Sequence, residues 1–189
     1  MNDYNFVRNY FKEFESLIDR NNIINKIIKI KKLIINQKKL KKKVLIFGNG
    51  GSAAISSHFS VDLTKNAKIR CVNFNEADLI TCFSNDYGFE NWIGKALDYY
   101  ADPGDLLILI SSSGRSKNLL NACKIAKKIK IKKIITLTGH AKNNPLSMKS
   151  DINLWVNSKS YNQIETVHLF WLLCIIDLII GKKIYPAKL

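Results

Sequence analysis

Six residues at 111–116, SSSGRS, have the makings of an anion cradle. They follow the apolar run LLILI at 106–110 and open a helix-forming stretch at 117–129. A helix start presents unpaired backbone N–H groups and a partial positive charge, which suits an anion. The hydroxyls of Ser111, Ser112, Ser113 and Ser116 add short neutral donors, and Gly114 lets the backbone come close to a ligand. A phosphate is the natural guest. Serine also caps helices that bind nothing, so the loop alone leaves both readings open.

A second turn, GNGGS at 48–52, follows another apolar run, KVLIF at 43–47. Gly48, Gly50 and Gly51 permit close backbone approach, while Asn49 and Ser52 supply hydrogen bonds. The spacing is neither that of a dinucleotide fingerprint nor that of a Walker loop. Two pairs of titratable residues complete the candidates. His58 and Asp62 stand four apart, and Glu165 and His168 three apart, so each pair shares a helical face. On the apolar stretch 161–180, Glu165 and His168 read equally as a polar pair that fixes helix packing.

The elements that must hold these residues alternate. Helical patterns cover 3–19, 22–39, 52–65, 91–100, 117–129 and 161–180; strand patterns cover 43–47, 69–74, 106–110, 133–138 and 151–156. Strands that are apolar along their whole length and separated by helices predict a parallel sheet covered on both faces. In such folds ligands sit beyond the carboxyl ends of the strands, where strand order reverses, which points to the turns after Phe47 and Ile110. No linker or repeat interrupts the pattern, so one domain is expected over 1–189, with N-terminal helices over 1–40 and an α/β core with its last helix over 43–180.

Composition narrows the classes. The chain has 189 residues, is 47% hydrophobic and 24% charged, and has the apolar material for a core. Its longest fully apolar run, 169–176, is too short to span a bilayer, and the N-terminus lacks a signal pattern, so a cytoplasmic protein with no membrane partner is expected. Net charge is +15, but almost all of it is lysine; only Arg8, Arg20, Arg70 and Arg115 are arginine. Phosphate and base readers favour the guanidinium fork, so nucleic-acid binding is not expected. Cys71, Cys82, Cys123 and Cys174 form no CxxC pair.

The motifs carry a resemblance. FGNGGSAA at 47–54, followed by Ser57, His58, Phe59, Asp62 and Leu63, resembles the first active-site loop and helix of phosphoheptose isomerases. SNDYGF at 84–89, PGDLLILISSSGRSKN at 103–118, IITLTG at 134–139 and IETVH at 164–168 continue that family's order. The chain is thereby identified as a member of the sugar isomerase (SIS) domain family. The resemblance implies an α/β flavodoxin-like fold with a five-stranded parallel sheet, and a homotetramer. It implies that Ser111, Ser112, Ser113 and Ser116 hold a sugar phosphate, that Asn49, Gly50, Gly51 and Ser52 border the sugar chain, and that Asp86 lies near the substrate.

It also marks departures. Asp62 stands where the family has Glu, and Glu165 where it has Gln; the family's late His falls at Leu173, while His168 matches a different family position. Aldose–ketose isomerisation moves a proton between adjacent carbons and needs a base and an acid, or one group in both roles. Asp62, Glu165 and His168 are the candidates, and His58, Asp62 and Glu165 could together hold a Zn²⁺ ion. The implied activity is an intramolecular oxidoreductase acting on sedoheptulose 7-phosphate, for surface polysaccharide precursors. The alternative is a non-catalytic phosphosugar-binding protein that engages a partner such as the replication initiator, as the DnaA initiator-associating relatives do.

Overall fold

Strand β1 (Val44–Gly48) and strand β3 (Leu106–Ser111) are buried along their whole length, as a central parallel pair must be. They are neighbours in a five-stranded parallel sheet of order β2-β1-β3-β4-β5, completed by β2 (Cys71–Val72), β4 (Lys133–Thr138) and β5 (Ile152–Trp155). The computed structural model describes residues 2–19 and 22–184. Seven α-helices are seen among the described residues: α1 (Asp3–Ile18), α2 (Ile23–Lys39), α3 (Gly51–Lys65), α4 (Ala77–Tyr87), α5 (Trp92–Tyr100), α6 (Lys117–Lys128) and α7 (Tyr161–Ile180).

Alternation along the strands sorts side chains into two cores. Val44, Ile46, Leu106, Ile108 and Ile110 face α1, α2, α3 and α7. Leu45, Phe47, Leu107 and Leu109 face α5 and α6. A fully buried Leu or Ile contributes about 1.5–3 kcal/mol, so these central strands dominate the sheet's stability. At the amino edge, Asp105 locks β1 to β3. Its fully buried carboxylate accepts from the Lys43 backbone N–H at 3.0 Å, the Asp102 N–H at 2.8 Å and the Lys43 ammonium at 2.7 Å.

Two elements differ from the sequence reading. Strand β2 is two residues long rather than spanning 69–74. Polar side chains take over its backbone: the Thr64 hydroxyl accepts from Cys71 N–H at 3.1 Å and donates to Cys71 C=O at 3.2 Å. Beyond it, the Asn73 amide donates to the Ser60 hydroxyl and that of Asn75 to Ala53 C=O, which turns the chain onto α3. Helix α4 was unassigned. Its residues Leu79, Ile80 and Phe83 pack on the core only partly buried, so its apolar stripe is thin.

Helix α7 has the length and mean hydropathy, 1.8, of a membrane span, although no unbroken apolar run in it reaches that length. It packs against α1, α2 and α3, burying Ile164, Val167, Trp171, Leu172, Ile175 and Ile176. The Trp171 indole donates to Ile18 C=O at 2.9 Å and the Gln163 amide to the Glu13 carboxylate at 3.1 Å, tying α7 to α1. It is a core helix.

Candidate functional site

Strand order reverses between β1 and β3, so their carboxyl ends open a crevice with a loop on each side. The loop after β3 is tied inward. Ser111 and Ser112 are buried, and the Ser111 and Ser116 hydroxyls lie 3.1 Å apart. Gly114 N–H donates to Ser111 C=O at 3.0 Å, and Arg115 N–H to the Ser113 hydroxyl at 3.3 Å. Gly114 has φ +65°, and a Cβ there would sit 2.0 Å from Asn144 Oδ1. Asn144 cannot yield. It is fully buried, donates to Ala141 C=O and accepts from Ser147 N–H at 2.9 Å each.

The loop therefore has one shape, and it leads straight into α6. Ser116 is the N-cap of α6 but makes no side-chain capping bond. The first-turn N–H groups keep their positive end facing the loop, and the buried Ser112 hydroxyl has no partner among the described residues. The Ser111 and Ser116 hydroxyls and the start of α6 lie together at the end of β3, an arrangement that suits an anion.

The loop after β1 leads into α3, whose N-cap, Gly50, likewise has no side-chain capping bond. Asn49 reaches across the crevice to Asn118 on α6. Asn49 Nδ2 donates to Asn118 Oδ1 at 3.1 Å, and Asn118 Nδ2 donates to Asn49 Oδ1 at 2.8 Å. Asn118 Oδ1 also accepts from Leu119 N–H at 3.0 Å, which fixes its rotamer. Ser52 is buried at the start of α3.

Helix α7 carries Glu165 to the same place. A Cβ on Gly51 would lie 2.1 Å from Glu165 Oε2, so the carboxylate rests on the first residue of α3. His168 goes elsewhere. It is fully buried, and its Nε2 donates to Thr138 C=O at 3.2 Å. Burial pushes its pKa down to about 4, and Nδ1 has no partner among the described residues. The carbonyl can only accept, so the Nε2–H tautomer of a neutral ring is the one present. No hydrogen bond joins His168 to Glu165 among the described residues, and the two do not form a pair.

His58 and Asp62 do meet, Nε2 to Oδ2 at 3.3 Å, and Asp62 Oδ1 accepts from the Asn66 amide. At about 1.5 Å per residue, Asp62 lies about 16 Å along α3 from Gly51, and His58 about 10 Å. Among the described residues of the single chain no group of three or more His, Cys, Asp or Glu is gathered as a metal site, so His58, Asp62 and Glu165 are not brought together as a ligand set within it. Asp86 lies exposed on α4; its carboxylate accepts from the Asn85 amide at 2.9 Å, and no bond links it to either loop.

Sequence reasoning missed two members of this arrangement. Asn118 stands in the quoted motif, and its signal is an amide on the second residue of a helix that must bury that face. Asn144 precedes Pro145 in a turn and carries no signal for its packing on Gly114. His140, in the loop after β4, has φ +51° and packs its ring edge-on against Tyr161, centroids 5.2 Å apart. Ser160 is the N-cap of α7.

Known proteins share both sequence and shape with this chain. The SIS domain family matches residues 9–139. A phosphoheptose isomerase of Campylobacter concisus is 37% identical over 137 residues, 69% of this chain and 71% of that protein. One from Sulfurimonas denitrificans is 31% identical over 185 residues, 95% and 93% of the two chains. The structure of a phosphoheptose isomerase from Francisella tularensis superposes with a TM-score of 0.85 at 27% identity, covering 96% of this chain and all of that one.

Proposed function

The chain belongs to the SIS domain family, and on that premise we propose that it is a phosphosugar isomerase converting sedoheptulose 7-phosphate to an aldose heptose 7-phosphate. The observation that carries this reading is the convergence of three things on one crevice: a hydroxyl-rich helix start, the Asn49–Asn118 bridge, and the Glu165 carboxylate on Gly51. A terminal phosphate held by Ser111, Ser112, Ser113 and Ser116 directs the carbon chain past Asn49, Gly50, Gly51 and Ser52 toward Glu165.

In this reading Glu165 is the base. Its carboxylate takes a proton from C1 of the ketose, and the electron pair moves through C1–C2 to the carbonyl oxygen, giving an enediolate. Once the carboxyl has exchanged its proton with solvent, delivery of a proton to C2, with transfer of a hydroxyl proton from O1 to O2, yields the aldose. One carboxyl group serves as base and then acid. Asp62 stands a few turns away and holds His58 instead. A bound Zn²⁺ would supply Lewis-acid chemistry where three or more donors converge; of the candidate ligands only His58 and Asp62 meet among the described residues, and no step is routed through a metal. His168, buried against the Thr138 carbonyl, acts structurally.

The same reading places the protein in the cytoplasm, making precursors of surface polysaccharide, as a homotetramer. Exposed Tyr4, Phe6 and Phe11 on α1, with Phe170 and Leu178 on α7, support self-association. The experiment is incubation with sedoheptulose 7-phosphate in D₂O, followed by proton NMR. An aldose anomeric signal and deuterium at C2 are expected. Neither product nor exchange, with and without added Zn²⁺, overturns the proposal.

A further inference from the structure

A groove of about 290 Å³ lies beyond β5 at the edge of the sheet. Its walls include Lys26 of α2, Lys142 and Ser147 of the β4–β5 connection, and Asn153 and Trp155 of β5, and no Asp or Glu lines it. Lys26 Nζ donates to Asn153 C=O at 2.9 Å, and the Lys142 ammonium stands 5.9 Å from the centre of the Trp155 ring. Among the described residues neither ammonium has a carboxylate partner.

The arrangement is unbalanced. Two ammonium groups line one groove without a counter-charge among its lining residues; burial, with Lys142 adding to it, lowers the Lys26 pKa from its ordinary value. An anion between them turns repulsion into attraction. Beside them is a fixed aromatic plane. The Trp155 indole N–H donates to His140 C=O at 3.1 Å, so the ring cannot swing away. Lys142 is exposed and at the outer limit of a cation–π contact, so it can trade the ring for a stronger partner. The volume is at the low end of small-molecule pockets and suits one ring with one phosphate.

We propose that this groove is a second ligand site, separate from the isomerase crevice, that binds a phosphate monoester carrying a ring. Lys26 and Lys142 take the phosphate, and the ring stacks on Trp155. The proposal does not depend on the isomerase reading.

Indole fluorescence tests it directly, because Trp92 and Trp171 are each only 2% exposed. The Ser113→Ala, Ser116→Ala double variant removes hydroxyls from the crevice loop, so a signal measured in it reports the groove. It is titrated with AMP, with fructose 6-phosphate and with inorganic phosphate; the first two separate a nucleotide from a sugar ester. A saturable change is expected with at least one ester. Affinity should fall about tenfold in Lys142→Gln and in Lys26→Gln, and the signal should vanish in Trp155→Phe. No saturable response to any probe, unchanged affinity in Lys142→Gln, or inorganic phosphate bound as tightly as both esters overturns the proposal.

Discussion

Asn49 and Asn118 exchange two hydrogen bonds, at 3.1 and 2.8 Å, across the point where strand order reverses. One residue lies in the loop after β1, the other on the first turn of α6. The amide bridge sets the spacing between the loop after β3 and the loop after β1. Each amide keeps a second N–H for other partners. Replacing Asn118 by Ala removes the bridge and leaves Asn49 unanchored. Asn118→Ala should lower kcat/KM about 10²-fold, because misplacing a positioning group by an ångström costs about that much. Sugar-phosphate affinity should fall less, since the serine hydroxyls remain. Steady-state kinetics beside calorimetry separates the two; an unchanged kcat/KM would show that the bridge positions nothing.

Gly51 offers a different test. Its Cβ would collide with the Glu165 carboxylate, the mobile end of a flexible side chain. Alanine is also favoured over glycine in a helix by about 1 kcal/mol. Gly51→Ala should therefore keep or slightly raise the melting temperature while activity drops about 10²-fold. Thermal unfolding and turnover, measured on one preparation, check both halves. A stable variant with full activity means that the Glu165 position does not matter.

Glu165 and Asp62 compete for the role of base, and geometry separates them. Glu165 touches the residue that opens α3; Asp62 lies about 16 Å along that helix. Glu165→Gln should lower kcat by about 10²–10⁴-fold with little change in substrate affinity, the range expected for lost acid–base catalysis. Asp62→Asn should leave kcat within about tenfold, since Asp62 only partners His58 and Asn66. The reverse order in single-turnover rates would transfer the role to Asp62.

Much of this was legible in the sequence, for physical reasons. The strands at 44–48 and 106–111 are buried on both faces, so apolar runs marked them; 133–138 is buried beyond the exposed Lys133, and its Ile and Leu marked it. The turns after β1 and β3 were marked by Gly and Ser, and the fold makes them the crevice. Strand β2 was overestimated because pattern reading cannot see the Thr64 hydroxyl compete for Cys71. Helix α4 escaped because its partly buried stripe gives a weak periodic signal. The pairings were less legible. Glu165 and His168 share a helical face by spacing, yet one meets Gly51 and the other the Thr138 carbonyl. Three residues on a helix turn the side chain by about 60° from register, enough to send the two into different surroundings.

His168 gives the last prediction. Its pKa is about 4 in the folded protein and near the ordinary value of 6.5 when the chain unfolds. Between those values the unfolded state takes up a proton that the folded state refuses, so stability falls as pH drops from 6.5 toward 4 and is flat from this source above 6.5. At about 1.36 kcal/mol per pH unit, the loss from pH 7 to pH 5 is about 2 kcal/mol. His168→Gln keeps a donor for the Thr138 carbonyl but cannot titrate. Urea unfolding at pH 7 and pH 5 should show that the variant loses about 2 kcal/mol less than the parent across that interval. Equal losses would mean that the ring accepts a proton inside the fold, and that the unpartnered Nδ1 then finds an acceptor.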